Sequence, residues 1–314
     1  MEYRTLGKTE LKVSVLSFGA SSLGGVFRDI DEAEAMRAVH VSLDAGINFI
    51  DVSPYYGLTR AERVLGQALR GIPRDRYLLA TKVGRYGAEI EHFDFSASRV
   101  TASIDESLSR LGVDYVDLIQ AHDIEFGNLD QVVEETIPAL RRAQQAGKAR
   151  FVGITGLPLN CLRYVAERCA VDTVLSYCHY ELNDTALADL IPWFAERNIG
   201  IISASPLGMG LLSRRGTPPW HPAPQQVKDL CAQAARLCEQ RGTPIEKLAI
   251  QFAIRHPGIA TTLVGSASPQ NMQRNIQWID EPMDEQLLND VLEMLRPIHN
   301  VTWPSGRPEN ATTS

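Results

Sequence analysis

Asp51, Tyr56, Lys82 and His122 are the residues of this chain whose types suit chemistry on a carbonyl or a hydroxyl. Adding hydride to a carbonyl needs a proton for the forming alkoxide, and the reverse needs a base for the hydroxyl proton. A free phenol ionises near ~10, too high for a base at neutral pH, and an adjacent ammonium brings it down by stabilising phenolate. Lys82 would supply that charge to Tyr56, Asp51 would hold Lys82 charged and aimed, and His122 would hydrogen-bond the substrate oxygen. Singly, each has a plainer reading. Asp51 could cap a turn, Lys82 could snorkel from a strand end, His122 could be a satisfied core histidine, and Tyr56 could simply pack.

The elements that would carry them repeat from end to end. A hairpin is predicted over 2–14, then strands over 15–20, 48–53, 77–83, 115–122, 149–155, 172–178, 199–205 and 261–265. Helical periodicity follows each strand: 31–46, 60–71, 96–112, 129–147, 159–169, 184–198, 225–241 with 244–255, and 269–279 with 283–297. Pro138 is expected to kink or break its helix. The strands are apolar throughout, as parallel strands buried on both faces are. Eight such units in one domain, 1–314, imply an α/β (β/α)8 TIM barrel with an N-terminal β-hairpin and extra C-terminal helices. The absence of G-x-G-x-x-G after the first strand disfavours the open dinucleotide-binding sheet. In a barrel, polar residues at strand C-termini read as catalytic, and the four residues above fall there. The polar tail 305–314 is expected to be loose.

Composition sets outer bounds. A formal net charge of -7 without clustered Lys or Arg argues against a nucleic-acid partner. No apolar run approaches a membrane span, and from the charged, polar opening MEYRTLGKTE no signal peptide is expected. The five cysteines are odd in number and lack C-x-x-C spacing, which suits free thiols in a cytoplasmic protein. No serine nucleophile elbow or metal-ligand spacing is present, so no metal is expected. A monomer or small homo-oligomer is expected.

The segments DVSPYYG, ATKVG, QAHD, VGITG, ASPLGMGLL and LVGSASPQNMQRN make the chain similar to the aldo-keto reductase family along essentially its whole length. The resemblance implies that Asp51, Tyr56, Lys82 and His122 are the family's catalytic tetrad, all intact. Longer runs, such as SIDESLSRL, DYVDLIQAHDIEFG, LSYCHYELND and NVTWPSG, resemble members that oxidise aldoses at C1. That implies NAD-dependent conversion of L-galactose, or a relative such as L-fucose, to the aldonolactone. The other readings are an NADPH-dependent general aldehyde or ketone reductase and a cofactor-binding regulatory subunit.

The resemblance also implies a cofactor site. The nicotinamide carboxamide positions fall on Thr155, Gly156 and Tyr177, and the stacking aromatic falls on Ala204. Ser205, Pro206, Leu207, Gly208 and Leu211 match the cofactor belt, and Gly265, Ser266, Ser268, Asn271 and Asn275 match the far end. Ser268 before Pro269 makes an N-cap and first-turn pair, which would turn free N–H groups toward an anion. The family's NADP-binding cations fall on Gly265 and Asn271, and Arg274 is the only basic residue in 263–275, so NAD is expected over NADP. Ser53, Asp123, His92, His179, Trp220 and Trp303 are the substrate-side candidates.

Overall fold

The computed structural model describes residues 1–26 and 29–311. The hairpin pairs β1 (Tyr3–Thr5) with β2 (Lys12–Ser14), antiparallel. Eight strands then close a parallel barrel: β3 (Leu16–Gly19), β4 (Phe49–Asp51), β5 (Leu78–Val83), β6 (Val116–Ala121), β7 (Ala149–Gly156), β8 (Thr173–Tyr177), β9 (Gly200–Ala204) and β10 (Thr261–Val264). Neighbours in space are neighbours in sequence, and β10 returns to β3. The expected fold is therefore the observed one.

Helices α1 (Glu32–Asp44), α2 (Arg60–Leu69) and α3 (Ala97–Leu111) cover the first strands. Side chains fix where they begin. Asp31 accepts from Ala33 N and Glu34 N, and Ser96 accepts from Arg99 N, as N-caps do. The predicted 129–147 helix is three pieces: α4 (Leu129–Gln131), a π turn (Val132–Thr136) and α5 (Ile137–Gln145). Pro138 has no N–H to give the preceding turn, and the widened turn stands immediately before it. The 184–198 helix is likewise a 3-10 stretch (Ala186–Leu190) leading into α7 (Ile191–Glu196), with a proline at its start. Between them lies α6 (Leu159–Arg168). After β9 come α8 (Gln225–Gln240) and α9 (Ile245–Ala253), and after β10 come α10 (Pro269–Asp280) and α11 (Glu285–Leu295).

Apolar side chains bury between strands and helices, and separately beneath α8, α9 and α11. A third cluster fills the barrel interior, where Leu6, Leu11 and Val13 of the hairpin region meet Phe49, Leu118 and Ile202. The hairpin thus plugs the N-terminal end and leaves the opposite end as the mouth. Residues 305–311 differ from expectation. Asn310 is buried, and its Nδ2 donates to the carbonyls of Glu125 and Gly127 at 2.8 and 2.9 Å. Composition marked this segment as polar, but its polar groups satisfy backbone acceptors of the 124–127 turn. Residues 312–314 of the expected tail lie outside the described residues. Among the described residues no helix is long and apolar enough to cross a membrane.

Candidate active site

Asp51 ends β4, Lys82 lies one residue from the end of β5, and His122 follows β6, so three side chains stand at the mouth on adjacent strands. Tyr56 comes from the turn after β4. Two glycines press that turn into place. A Cβ on Gly24 would stand 2.6 Å from the Tyr56 carbonyl carbon, and one on Gly57 would stand 2.0 Å from the Gly24 oxygen. Only bare backbone permits this approach.

Lys82 Nζ donates to Asp51 Oδ1, to the Val52 carbonyl at 3.0 Å and to the Tyr56 hydroxyl at 3.2 Å. Gln120 Nε2 donates to the other Asp51 oxygen at 2.8 Å. Lys82 and Asp51 are 1 % and 2 % exposed, so this is an ion pair removed from water, with every ammonium proton directed. Burial alone would depress the Lys82 ammonium, but Asp51 and Tyr56 outweigh it and hold the group above its ordinary range. Tyr56 departs from the simple expectation. Burial raises its phenol above the usual value, and the opposing charge of Lys82 does not overcome that. Tyr56 therefore rests protonated.

His122 packs edge-on to the Tyr56 ring, with centroids 5.7 Å apart at 89°. Its Nδ1 lies 2.9 Å from Ser53 Oγ. Burial first, then Lys82 and Arg85, push its pKa well below the ordinary value against the pull of Asp123, so the imidazole is neutral at neutral pH. Asp123 is clamped: Arg85 Nη1 donates to its Oδ2, Thr155 Oγ1 donates to its Oδ1 at 3.2 Å, and its own N–H donates to Thr155 Oγ1 at 2.9 Å. The Arg85 guanidinium lies 3.7 Å from the Tyr55 ring centroid, a cation–π contact at the rim beside His122.

Glu125, in the turn after His122, is fully buried. Its Oε1 accepts from Leu157 N, Tyr177 OH and Ser305 Oγ at 3.1, 3.3 and 3.0 Å, while Oε2 has no partner. Burial and the nearby Asp123 raise its pKa to about 8.

The expected cofactor residues form two loops at the same mouth. After β9, Ser205 and Gly208 both take positive φ, and Pro206, Leu207 and Leu211 continue the turn. His221 Nε2 lies 3.0 Å from the Gly208 carbonyl, and His221 Nδ1 accepts from Ala223 N, so Nε2 is the donor. After β10, Ser268 Oγ caps α10 by accepting from Asn271 N, and Ser266 Oγ accepts from Ser268 N and Asn271 Nδ2 at 3.2 and 3.3 Å. Asn275 lies half-buried one turn along α10. Arg274 reaches back to donate to Asn271 Oδ1, so one cation does stand at this end of the site.

The substrate-side candidates divide. Ser53 and Asp123 touch His122 or flank it at 3.6 Å. His179 is held by Asp184 at 3.1 Å, and exposed His92 accepts from Glu89 N. Trp220 and Trp303 stack on and against His221, which ties the loop 208–224 to the C-terminal segment. Sequence reasoning missed Tyr55, Arg85, Gln120, Glu125 and His221. Gln120 had a signal, since it lies two residues before His122 on a strand and hence on the same side.

A profile of the Aldo/keto reductase family matches residues 15–296. L-galactose dehydrogenase of Arabidopsis thaliana is 49% identical over 99% of this chain and 99% of its own. D-arabinose 1-dehydrogenase of Saccharomyces cerevisiae is 30% identical over 94% of this chain and 95% of its own. The aldo-keto reductase AKR11C1 of Bacillus halodurans, in its holo form, superposes with a TM-score of 0.79 at 28% identity, over 99% of this chain and 100% of that one.

Proposed function

Since the chain belongs to the aldo/keto reductase family, we propose that it is an NAD-dependent aldose 1-dehydrogenase that oxidises C1 of L-galactose, or a closely related aldose such as L-fucose, to the aldonolactone. The observation that carries the chemistry is the buried chain Asp51–Lys82–Tyr56, with His122 edge-on to the phenol. The sugar rests on the 49% identity to L-galactose dehydrogenase, and oxidation at C1 on a second relative, D-arabinose 1-dehydrogenase.

The residues fit a dinucleotide. A Cβ at Gly265 would stand 1.7 Å from the Gly19 carbonyl oxygen, so no side chain occupies that position, and the capped start of α10 turns first-turn N–H groups toward the mouth. Ser205 to Gly208, Ser266, Ser268, Asn271 and Asn275 would hold the cofactor. Thr155 donates its hydroxyl to Asp123, and Tyr177 donates its own to Glu125. Bound there, NAD would supply the hydride acceptor for C1 and a positive charge favouring phenolate at Tyr56.

In this mechanism Tyr56 acts as phenolate: its phenol first loses its proton to solvent, and the phenolate then takes the C1 hydroxyl proton. Lys82 stabilises the phenolate across 3.2 Å, and Asp51 with Gln120 keeps Lys82 charged and aimed. His122, neutral, hydrogen-bonds the C1 oxygen as it becomes a carbonyl. The Arg85–Asp123 pair and Tyr55 present a charged, aromatic rim suited to ring hydroxyls. Initial rates of NADH formation with L-galactose, L-fucose, D-arabinose, D-galactose and simple aldehydes, with NAD and NADP in parallel, test the proposal. It predicts fastest turnover with L-galactose or its 6-deoxy relative and NAD. Reduction of aldehydes with NADPH, without oxidation of any sugar, would overturn it.

A further inference from the structure

A neutral imidazole carries one N–H, and the hydrogen bond made by one ring nitrogen decides which nitrogen bears the proton. His122 is buried and neutral. Its Nδ1 faces Ser53 Oγ at 2.9 Å, and its Nε2 faces the mouth, 3.6 Å from Asp123 Oδ2. Ser53 sits at the head of the turn that carries Tyr56, and it is fully buried. Its hydroxyl oxygen already accepts the Tyr55 N–H at 3.1 Å. Among the described residues Ser53 Oγ has no third partner. If Nδ1 carried the proton, Ser53 Oγ would accept twice and its own hydrogen would be buried without an acceptor. If Nδ1 is bare, Ser53 donates to it and every group in the chain Tyr55 N–H, Ser53 O–H, His122 Nδ1 is satisfied. Leaving a buried donor unpaired is costly enough to make the first arrangement minor by about tenfold or more. The carboxylate of Asp123, fixed by Arg85 and Thr155, favours a proton on Nε2 from the other side.

We propose that Ser53 is a positioning residue that fixes His122 as its Nε2–H tautomer, so the imidazole meets the sugar C1 oxygen with a proton rather than a lone pair. The consequence rests on the proposed role of His122 at that oxygen. A lone pair at Nε2 would compete with Tyr56 for the hydroxyl proton and would repel the product carbonyl. A proton at Nε2 leaves Tyr56 as sole acceptor and stabilises the carbonyl as it forms. The same turn thus delivers the phenol and sets the histidine.

The test is long-range 1H–15N correlation of the 15N-histidine-labelled protein without ligand, with His122 assigned by its loss in His122→Gln. A protonated-type Nε2 and a bare-type Nδ1 are expected. In Ser53→Ala the Nδ1 resonance should move toward the unbonded range. Its kcat for the sugar should fall several-fold to about tenfold, the worth of one hydrogen bond, with NAD affinity unchanged, and Ser53→Thr should restore both. A protonated Nδ1 in the wild type overturns the proposal, as does a Ser53→Ala protein with unaltered spectrum and kcat. The spectrum requires no turnover. A chain inactive on sugars would therefore overturn the function while the tautomer is still decided, and an active sugar dehydrogenase with protonated Nδ1 would overturn the tautomer alone.

Discussion

Asp51 and Lys82 depend on each other, because neither charge would be tolerable alone at this depth. Tyr56 draws on that pair. Its phenol rests protonated, so the oxidative rate should rise with pH as Tyr56 ionises, from neutral into the alkaline range. Tyr56→Phe removes the proposed proton acceptor and leaves the ring. Turnover should fall by about 10²–10⁴-fold while NAD binding, followed by fluorescence titration, is nearly unchanged. Lys82→Met takes away the charge that opposes the rise in the phenol pKa, so whatever activity survives should have its pH limb displaced upward. It also strands the Asp51 carboxylate, at a cost of about 3–5 kcal/mol. Adding Asp51→Asn should recover part of the lost melting temperature but none of the activity. These residues were legible because their types and strand-end positions coincide. Arg85 and Tyr55 were not, since a lone Arg after a strand and a second Tyr in a turn carry no periodicity. Only the fold brings the guanidinium over the ring.

At the scale of elements, the strands and most helices could be read from apolar runs and caps, because one barrel uses the same local rules at every unit. The break at Pro138 could be read, but its form as a π turn could not, nor could the 3-10 entry to α7. Element α10 carries the cofactor prediction. A cation cannot be built at Gly265, where a Cβ would stand 1.7 Å from Gly19 O. Asn271 is at the first turn of α10, and Asn271→Arg is therefore the variant to make. It should raise kcat/KM for NADP relative to NAD, and an unchanged ratio would show that the adenosine end lies elsewhere.

Across the whole molecule, the last segment returns to the mouth and closes over Glu125 through Ser305 and Asn310. Polar composition suggested a loose end because partners for those groups come from a turn some 180 residues earlier. The buried Glu125 carboxyl makes stability depend on pH. It ionises from 4.5 in the unfolded chain but only from about 8 in the folded one. The unfolded state therefore gains by ionising as pH rises between those values, and the folded protein loses stability across that window. Glu125→Gln cannot ionise. Its melting temperature should fall less than that of the wild type between pH 5 and 8, and parallel curves would mean that Glu125 is not held protonated. The central claim concerns one bond, C1–H of the sugar. The most direct measurement is turnover of L-galactose deuterated at C1 with NAD, reading the label in the isolated NADH by mass spectrometry and proton NMR. The account predicts one deuterium at the nicotinamide C4 per lactone formed. Unlabelled NADH, or no NADH at all, would contradict it.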